Sequence, residues 1–232
     1  MKVRLIAIAA AAVVTLPALS WAQDGGIATN FGLTSNYKYR GQDQGNNNPA
    51  VFGGFDWSSG GFYAGNWNSS VGFTDAGLEM DFYGGYKFEV AGIGFDAGLL
   101  HYYYPQKTEV ADLDTTELYL GASYGFFGAK YSRTVSSKYF GVTDGKGTGY
   151  FSLTANPELG KGIVLNLAYG TTKFSGGAKN VGAVNYDDYK VGATFDLGKG
   201  FSAAGAYVGA TKKDVYGDIN KGRVILTLTK TM

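Results

Sequence analysis

Nine charged side chains stand inside segments that otherwise alternate apolar with small or polar residues: Lys38, Arg40, Asp56, Glu79, Asp81, Lys87, Asp96, Glu117 and Lys130. Their types suit electrostatic work better than bond-making. Carboxylates facing ammonium and guanidinium groups across a narrow wet passage set a transverse field and tune which ions or small polar solutes pass. Alternatively, the same groups pair with one another and close the passage. On sequence grounds both readings stand.

Covalent chemistry has little to work with. Cysteine is absent, so neither a disulfide framework nor a thiolate metal site is expected. His101 is the sole histidine, which excludes a multi-histidine zinc centre and leaves one imidazole as a general base. A lipid-modifying enzyme would need a nucleophile beside it, and Ser123 on the following strand falls in the opposite phase. Asp144-Gly145-Lys146-Gly147 lacks the alternating acidic ligands of a calcium loop and reads as a turn. No catalytic residue, cofactor or metal is expected.

The elements that position these side chains are strands. The chain holds 37 Gly, 18 Tyr and 15 Phe but 4 Pro, a composition that disfavours helix and suits a sheet with tight turns. Period-two alternation is cleanest over 27–40, 78–87, 163–170, 188–197 and 223–228. Weaker versions near 50–57, 62–71, 93–104, 116–124, 127–134, 149–155 and 201–211 bring the predicted strands to twelve. The connections 41–48, 72–77, 105–115, 135–148, 171–187 and 212–222 are mostly longer than the Gly-rich ones between them. That asymmetry belongs to an up-and-down transmembrane barrel with short periplasmic turns, and an even strand count leaves both termini on the periplasmic side.

A soluble sandwich also alternates, so placement must decide. The charges fall in mid-strand on one face, as a wet lumen allows. Aromatics end the other face: Tyr37, Tyr39, Tyr86, Tyr103, Phe127, Tyr169, Phe195 and Phe201 suit interfacial girdles. Closure removes the open edges that lipid forbids. The expected fold class is therefore all-β, a transmembrane up-and-down antiparallel barrel of about 12 strands. Twelve strands about 4.8 Å apart and tilted about 40° enclose a backbone cylinder roughly 24 Å wide, and inward side chains leave about 10 Å or less.

Residues 1–22 read as a cleaved signal peptide, and 23–232 as the barrel. Lys2 and Arg4 precede an apolar run from Leu5 to Leu16, Pro17 breaks it, and Ser20-Trp21-Ala22 supplies small residues for cleavage. That run is too short to span a bilayer as a helix. Its removal takes two of the 20 basic residues and none of the 19 acidic ones, leaving a net charge near −1. Charge thus points to no nucleic-acid partner. The expected partners are outer-membrane lipids, periplasmic chaperones and the barrel-assembly machinery during biogenesis, and small hydrophilic solutes or ions.

Several stretches resemble the proteobacterial TorF family of porins, a largely uncharacterised group. They are Ser35-Asn36-Tyr37-Lys38-Tyr39-Arg40-Gly41 with Gln44 and Pro49-Ala50, and Gly61-Phe62-Tyr63-Ala64-Gly65-Asn66-Trp67 with Ser69. Glu79-Met80-Asp81 with Gly84-Gly85-Tyr86-Lys87, and Gly98-Leu99-Leu100 with Tyr102-Tyr103-Tyr104-Pro105, continue the likeness. The resemblance implies a single outer-membrane barrel in a Gram-negative bacterium, with pore activity and no assigned substrate. One departure is Met232, where such barrels end in an aromatic residue. An adhesive barrel is the remaining alternative, but the loops 135–148 and 171–187 hold Gly, Lys, Asn and Asp with few apolar anchors.

Overall fold

The structure is a computed structural model that describes residues 26–72, 77–105 and 112–232. The expected signal peptide, 1–22, lies outside the described residues. Twelve antiparallel strands form the wall: β1 Gly26–Thr34, β2 Ala50–Ser59, β3 Phe62–Ser70, β4 Leu78–Val90, β5 Ile93–Tyr103 and β6 Thr115–Tyr124. The second half follows with β7 Phe127–Thr134, β8 Gly149–Ala155, β9 Ile163–Lys173, β10 Tyr186–Gly198, β11 Phe201–Ala210 and β12 Arg223–Thr231. Each strand pairs with its neighbours in sequence, and β1 pairs with β12 from Asn30↔Thr231 to Thr34↔Thr227. The sheet is closed. Thr29 and Met232 exchange both backbone hydrogen bonds at 2.9 Å, which extends the seam by one pair.

The wall is inside-out by the standards of a soluble core. Ile27, Phe31, Leu33, Leu120, Leu153 and Leu226 lie exposed on its outer face, while Glu79, Asp81 and Glu117 are buried within. A face of this kind is at equilibrium only against hydrocarbon. Nine to thirteen residues in most strands give the reach a tilted transmembrane strand needs. Aromatics crowd the short-turn end of the outer face, where Phe62, Tyr86, Phe88 and Phe95 stack in series with centroids 4.7, 6.1 and 5.2 Å apart. Tyr103, Tyr169, Tyr189 and Tyr207 stand toward the long-loop end of the same face.

Two features differ from the sequence expectation. The first strand stops at Thr34, although alternation runs on to residue 40. Beyond it, Lys38–Tyr39 pairs with Gln42–Asp43 in a miniature hairpin. Its turn is Arg40-Gly41, with φ of 44° and 76°, a left-handed pair that Gly41 adopts without cost and Arg40 only at some expense. Tyr37 and Tyr39 are thereby carried into the lumen and form no part of an interfacial girdle. Short helices also occur, Gly176–Asn180, Lys213–Tyr216 and a 3₁₀ turn Gly217–Asn220, all within long loops. Ser175 caps the first, its Oγ accepting from the Ala178 amide at 3.2 Å. No helix among the described residues is long and apolar enough to cross a membrane.

Candidate functional site

The lumen has two halves of different character. Toward the short turns, the inward face of β2–β7 carries Asp56, Lys87, Asp96 and Lys130, all half-buried. Lys87 and Asp96 sit directly opposite one another on β4 and β5. Among the described residues, no ion pair joins either lysine to a carboxylate. Tyrosines hold these groups instead. The Tyr83 hydroxyl donates to Asp56 Oδ1 at 2.6 Å, and Tyr63 donates to Asp96 Oδ1 at 2.6 Å while also bonding Tyr119. The ammonium of Lys130 stands 3.6 Å over the Tyr119 ring, and that of Lys87 stands 4.7 Å over Tyr63. Gly98 makes the arrangement possible, because a Cβ there would lie 2.5 Å from the Tyr119 hydroxyl. The facing wall, β1, β11 and β12, is lined by small groups such as Ala28, Gly32, Ala204 and Thr229. Bulk and charge thus stand on one side and free width on the other.

Toward the long loops the lumen is filled. The loop after β1 (residues 35–49) and the loop after β7 (135–148) both fold inward and meet. Lys38 and Arg40, expected on the lumen face of the first strand, belong to the inward loop. The Arg40 guanidinium lies 4.5 Å over Tyr39 and 4.1 Å over Tyr150. Its Nη2 pairs with Glu117 Oε2 at 2.7 Å, and its Nη1 donates to the Tyr139 hydroxyl at 3.1 Å. Glu79 accepts from Tyr37 at 2.6 Å and from Tyr104. Phe140 packs edge-on against Tyr39, Tyr102 and Tyr139. Lys38 Nζ donates to the carbonyls of Gly41, Ile219 and Lys221 at 2.9, 3.1 and 2.8 Å, tying the first loop to the last. Burial lowers the pKa of this amine to about 8, with Asp43 opposing the shift and Arg223 and Lys213 adding to it.

Glu79, Asp81 and Glu117 therefore face the plug, whereas Asp56, Lys87, Asp96 and Lys130 face the wetter half. Loop 135–148 is anchored by Tyr139 and Phe140, both fully buried, and Phe174 and Ala178 bury part of the next long loop. The expectation of loops with few apolar anchors is corrected here. A signal existed in the chain: Lys38-Tyr39-Arg40-Gly41 and Lys138-Tyr139-Phe140-Gly141 share a Lys-Tyr-x-Gly pattern. Phe140 and Gly141, with φ of 45° and 81°, repeat the turn made by Arg40 and Gly41. His101 points outward on β5, its Nδ1 2.9 Å from Thr116 Oγ1, while Ser123 lies on the inward phase of β6 opposite Gly94.

A family model covering residues 22–232 matches this sequence, described as a bacterial protein of unknown function, Gcw_chp. The chain belongs to the Gcw_chp family. No curated protein matches it. Among solved structures, the fold of this Gcw_chp protein is similar to the NanC porin, with a TM-score of 0.57 and 9% identity over 89% of this chain and 98% of the other. It is similar to the KdgM porin at a TM-score of 0.56 and 6% identity, covering 88% and 97%. The COG4313 outer-membrane channel from Pseudomonas putida F1 gives 0.55 and 10%, covering 90% and 96%. At such identities the likeness shows the fold alone, a closed antiparallel β-barrel.

Proposed function

We propose that this protein is an outer-membrane porin that passes small hydrophilic solutes or ions by passive diffusion, with its outer mouth held narrow by the two inward loops. The observation that carries this reading is the wetter half of the lumen. Asp56, Lys87, Asp96 and Lys130 remain half-exposed and unneutralised by ion pairs among the described residues. A barrel built only to be a wall would gain by pairing or replacing them. The similar structures are two porins and an outer-membrane channel, which supports the same reading, as does the resemblance to TorF-family porins. Export through the signal peptide 1–22 to the outer membrane of a Gram-negative cell, with folding by periplasmic chaperones and the assembly machinery, completes the proposal. Conduction needs no cofactor and no catalytic residue.

A second reading, a closed structural or adhesive barrel, is favoured by the plug itself. Single-channel recording in planar bilayers separates the two. Discrete conductance steps from refolded, heat-modifiable protein are expected, brief with the native loops and frequent once the plug is loosened. A resistive bilayer for both the native protein and a folded, plug-loosened variant would exclude the porin.

A further inference from the structure

The lipid-facing surface of the barrel carries full charge at very few places. Alternation along the twelve strands leaves Arg133, Lys173, Asp187 and Lys230 as the charged residues in the outward phase. Two of them are neighbours. Gly149 on β8 pairs with Arg133 on β7 to one side and with Lys173 on β9 to the other. Both cations are exposed, and among the described residues neither has an ion-pair partner. They stand at the long-loop end of the wall, two strand spacings apart, or about 10 Å between backbones.

The ground between them is shaped for a ligand. Gly149 brings no side chain into the gap, and the Tyr131 hydroxyl reaches over it, 2.7 Å from where a Cβ would stand. Toward the membrane centre on β8 and β9, Phe151 one outward step below Gly149 and Tyr169 two steps below Lys173 present exposed rings. Two cations and a hydroxyl donor at headgroup level, above an apolar floor, match a phosphate on an acyl-bearing lipid. Phosphate carries the complementary charge and accepts from all three donors, and the rings meet the first methylenes of its chains. An isolated cation on this face would be hard to retain in lipid without an anion to meet it.

We propose that Arg133, Tyr131 and Lys173 form a docking site for a phosphorylated lipid headgroup of the outer leaflet, on the outer rim of β7–β9. The proposal takes the long loops to face outward. It does not depend on whether the lumen conducts.

The test uses the full mature barrel in a zwitterionic detergent, with diphosphoryl lipid A and its fully dephosphorylated counterpart as probes and native mass spectrometry as readout. The native protein is expected to retain the phosphorylated lipid about tenfold better than the dephosphorylated one. The double variant Arg133→Gln, Lys173→Gln should lose that preference, while Lys230→Gln, at the opposite rim, should keep it. Equal retention of the two probes by native protein overturns the proposal without recourse to any variant. So does an unchanged preference in the double variant. Displacement of the lipid by equimolar inorganic phosphate would assign the site to a free anion and would likewise overturn docking of a lipid.

Discussion

Replacing Glu117 by Gln tests whether the inward loop after β1 is a releasable plug. The substitution keeps the shape of the side chain and removes the charge that faces Arg40 at 2.7 Å. Both partners are almost wholly buried, their side chains 3% and 1% exposed. Breaking a buried pair by neutralising one member typically costs about 3–5 kcal/mol, because the other charge is left unpaired away from water. Asp188, which accepts from Tyr150 at 3.2 Å beneath the Arg40 guanidinium, offsets part of that loss, so the lower end applies. About 3 kcal/mol shifts the ratio of docked to released loop by roughly a hundredfold. The barrel ladder does not share in this loss, because Arg40 lies outside every wall strand and regains water when its loop swings out.

Two assays read the shift. In a planar bilayer, Glu117→Gln should raise the fraction of time spent conducting by one to two orders of magnitude. In detergent, trypsin should cut after Lys38 or Arg40 in the variant while sparing both in the native barrel, where they are 8% and 4% exposed. Heat-modifiable migration verifies that the wall is intact. Unchanged open fraction together with unchanged trypsin resistance, in a properly folded variant, would refute the latch and the energetic reasoning behind it.

Lys38 supplies a pH dependence of defined sign. Released, its amine titrates near 10.5, and docked it titrates at about 8, so the docked loop binds the proton more weakly. Docking should therefore strengthen as pH rises from 8 to 10.5, by up to roughly a hundredfold, and stay flat with respect to this group below pH 8. Open fraction should fall across that window in the native protein and lose the dependence in Lys38→Met. Selectivity should follow the inner half. The double substitution Lys87→Gln, Lys130→Gln leaves Asp56 and Asp96 uncompensated, and should move the reversal potential in a potassium chloride gradient toward cation preference. An unmoved potential would place the solute path elsewhere. Replacing Phe140 with Ala removes a buried ring that touches Tyr39, Tyr102 and Tyr139. It should raise the open fraction as Glu117→Gln does, with little change in barrel thermal stability by circular dichroism.

The wall was legible in the sequence because period-two alternation is a direct consequence of strand geometry, and a barrel in lipid enforces it on every strand. Phase alone separated Glu79, Asp81 and Glu117 from Leu78, Met80 and Leu118. The plug was not legible from phase. Ser35 to Arg40 alternate as a strand would, yet nothing local says that the ladder ends at Thr34. At that point the Ser35 side chain takes the ladder's place, its Oγ accepting from the Leu226 amide at 2.9 Å, and Thr34 Oγ1 donates to the Asn36 carbonyl at 2.9 Å. The Arg40-Gly41 turn then folds the departed segment back on itself. Alternation also cannot tell a lipid-facing tyrosine from one turned into the lumen, so Tyr37 and Tyr39 look like girdle residues until the inward rings of Trp67 and Tyr102 are seen beside them. Such contacts join residues far apart in sequence. The repeated Lys-Tyr-x-Gly pattern is the one local trace they leave.

The plug also carries the signs of something not fully settled in place. Arg40 Nε, Glu117 Oε1 and Asp81 Oδ1 are buried without a hydrogen-bond partner among the described residues. Arg40 and Glu117 are thus paired through their other atoms only, Nη1, Nη2 and Oε2, and a partly satisfied polar network holds less firmly than a fully paired one. A barrel meant to stay shut would be better served by leucine and phenylalanine at these positions. Release of the loop returns all three groups to water, so the penalty of closure is stored where opening relieves it. The aromatic contacts of Phe140 and the Arg40–Glu117 pair oppose that release. Balanced terms of this kind suit a mouth that opens intermittently, as the proposed channel requires.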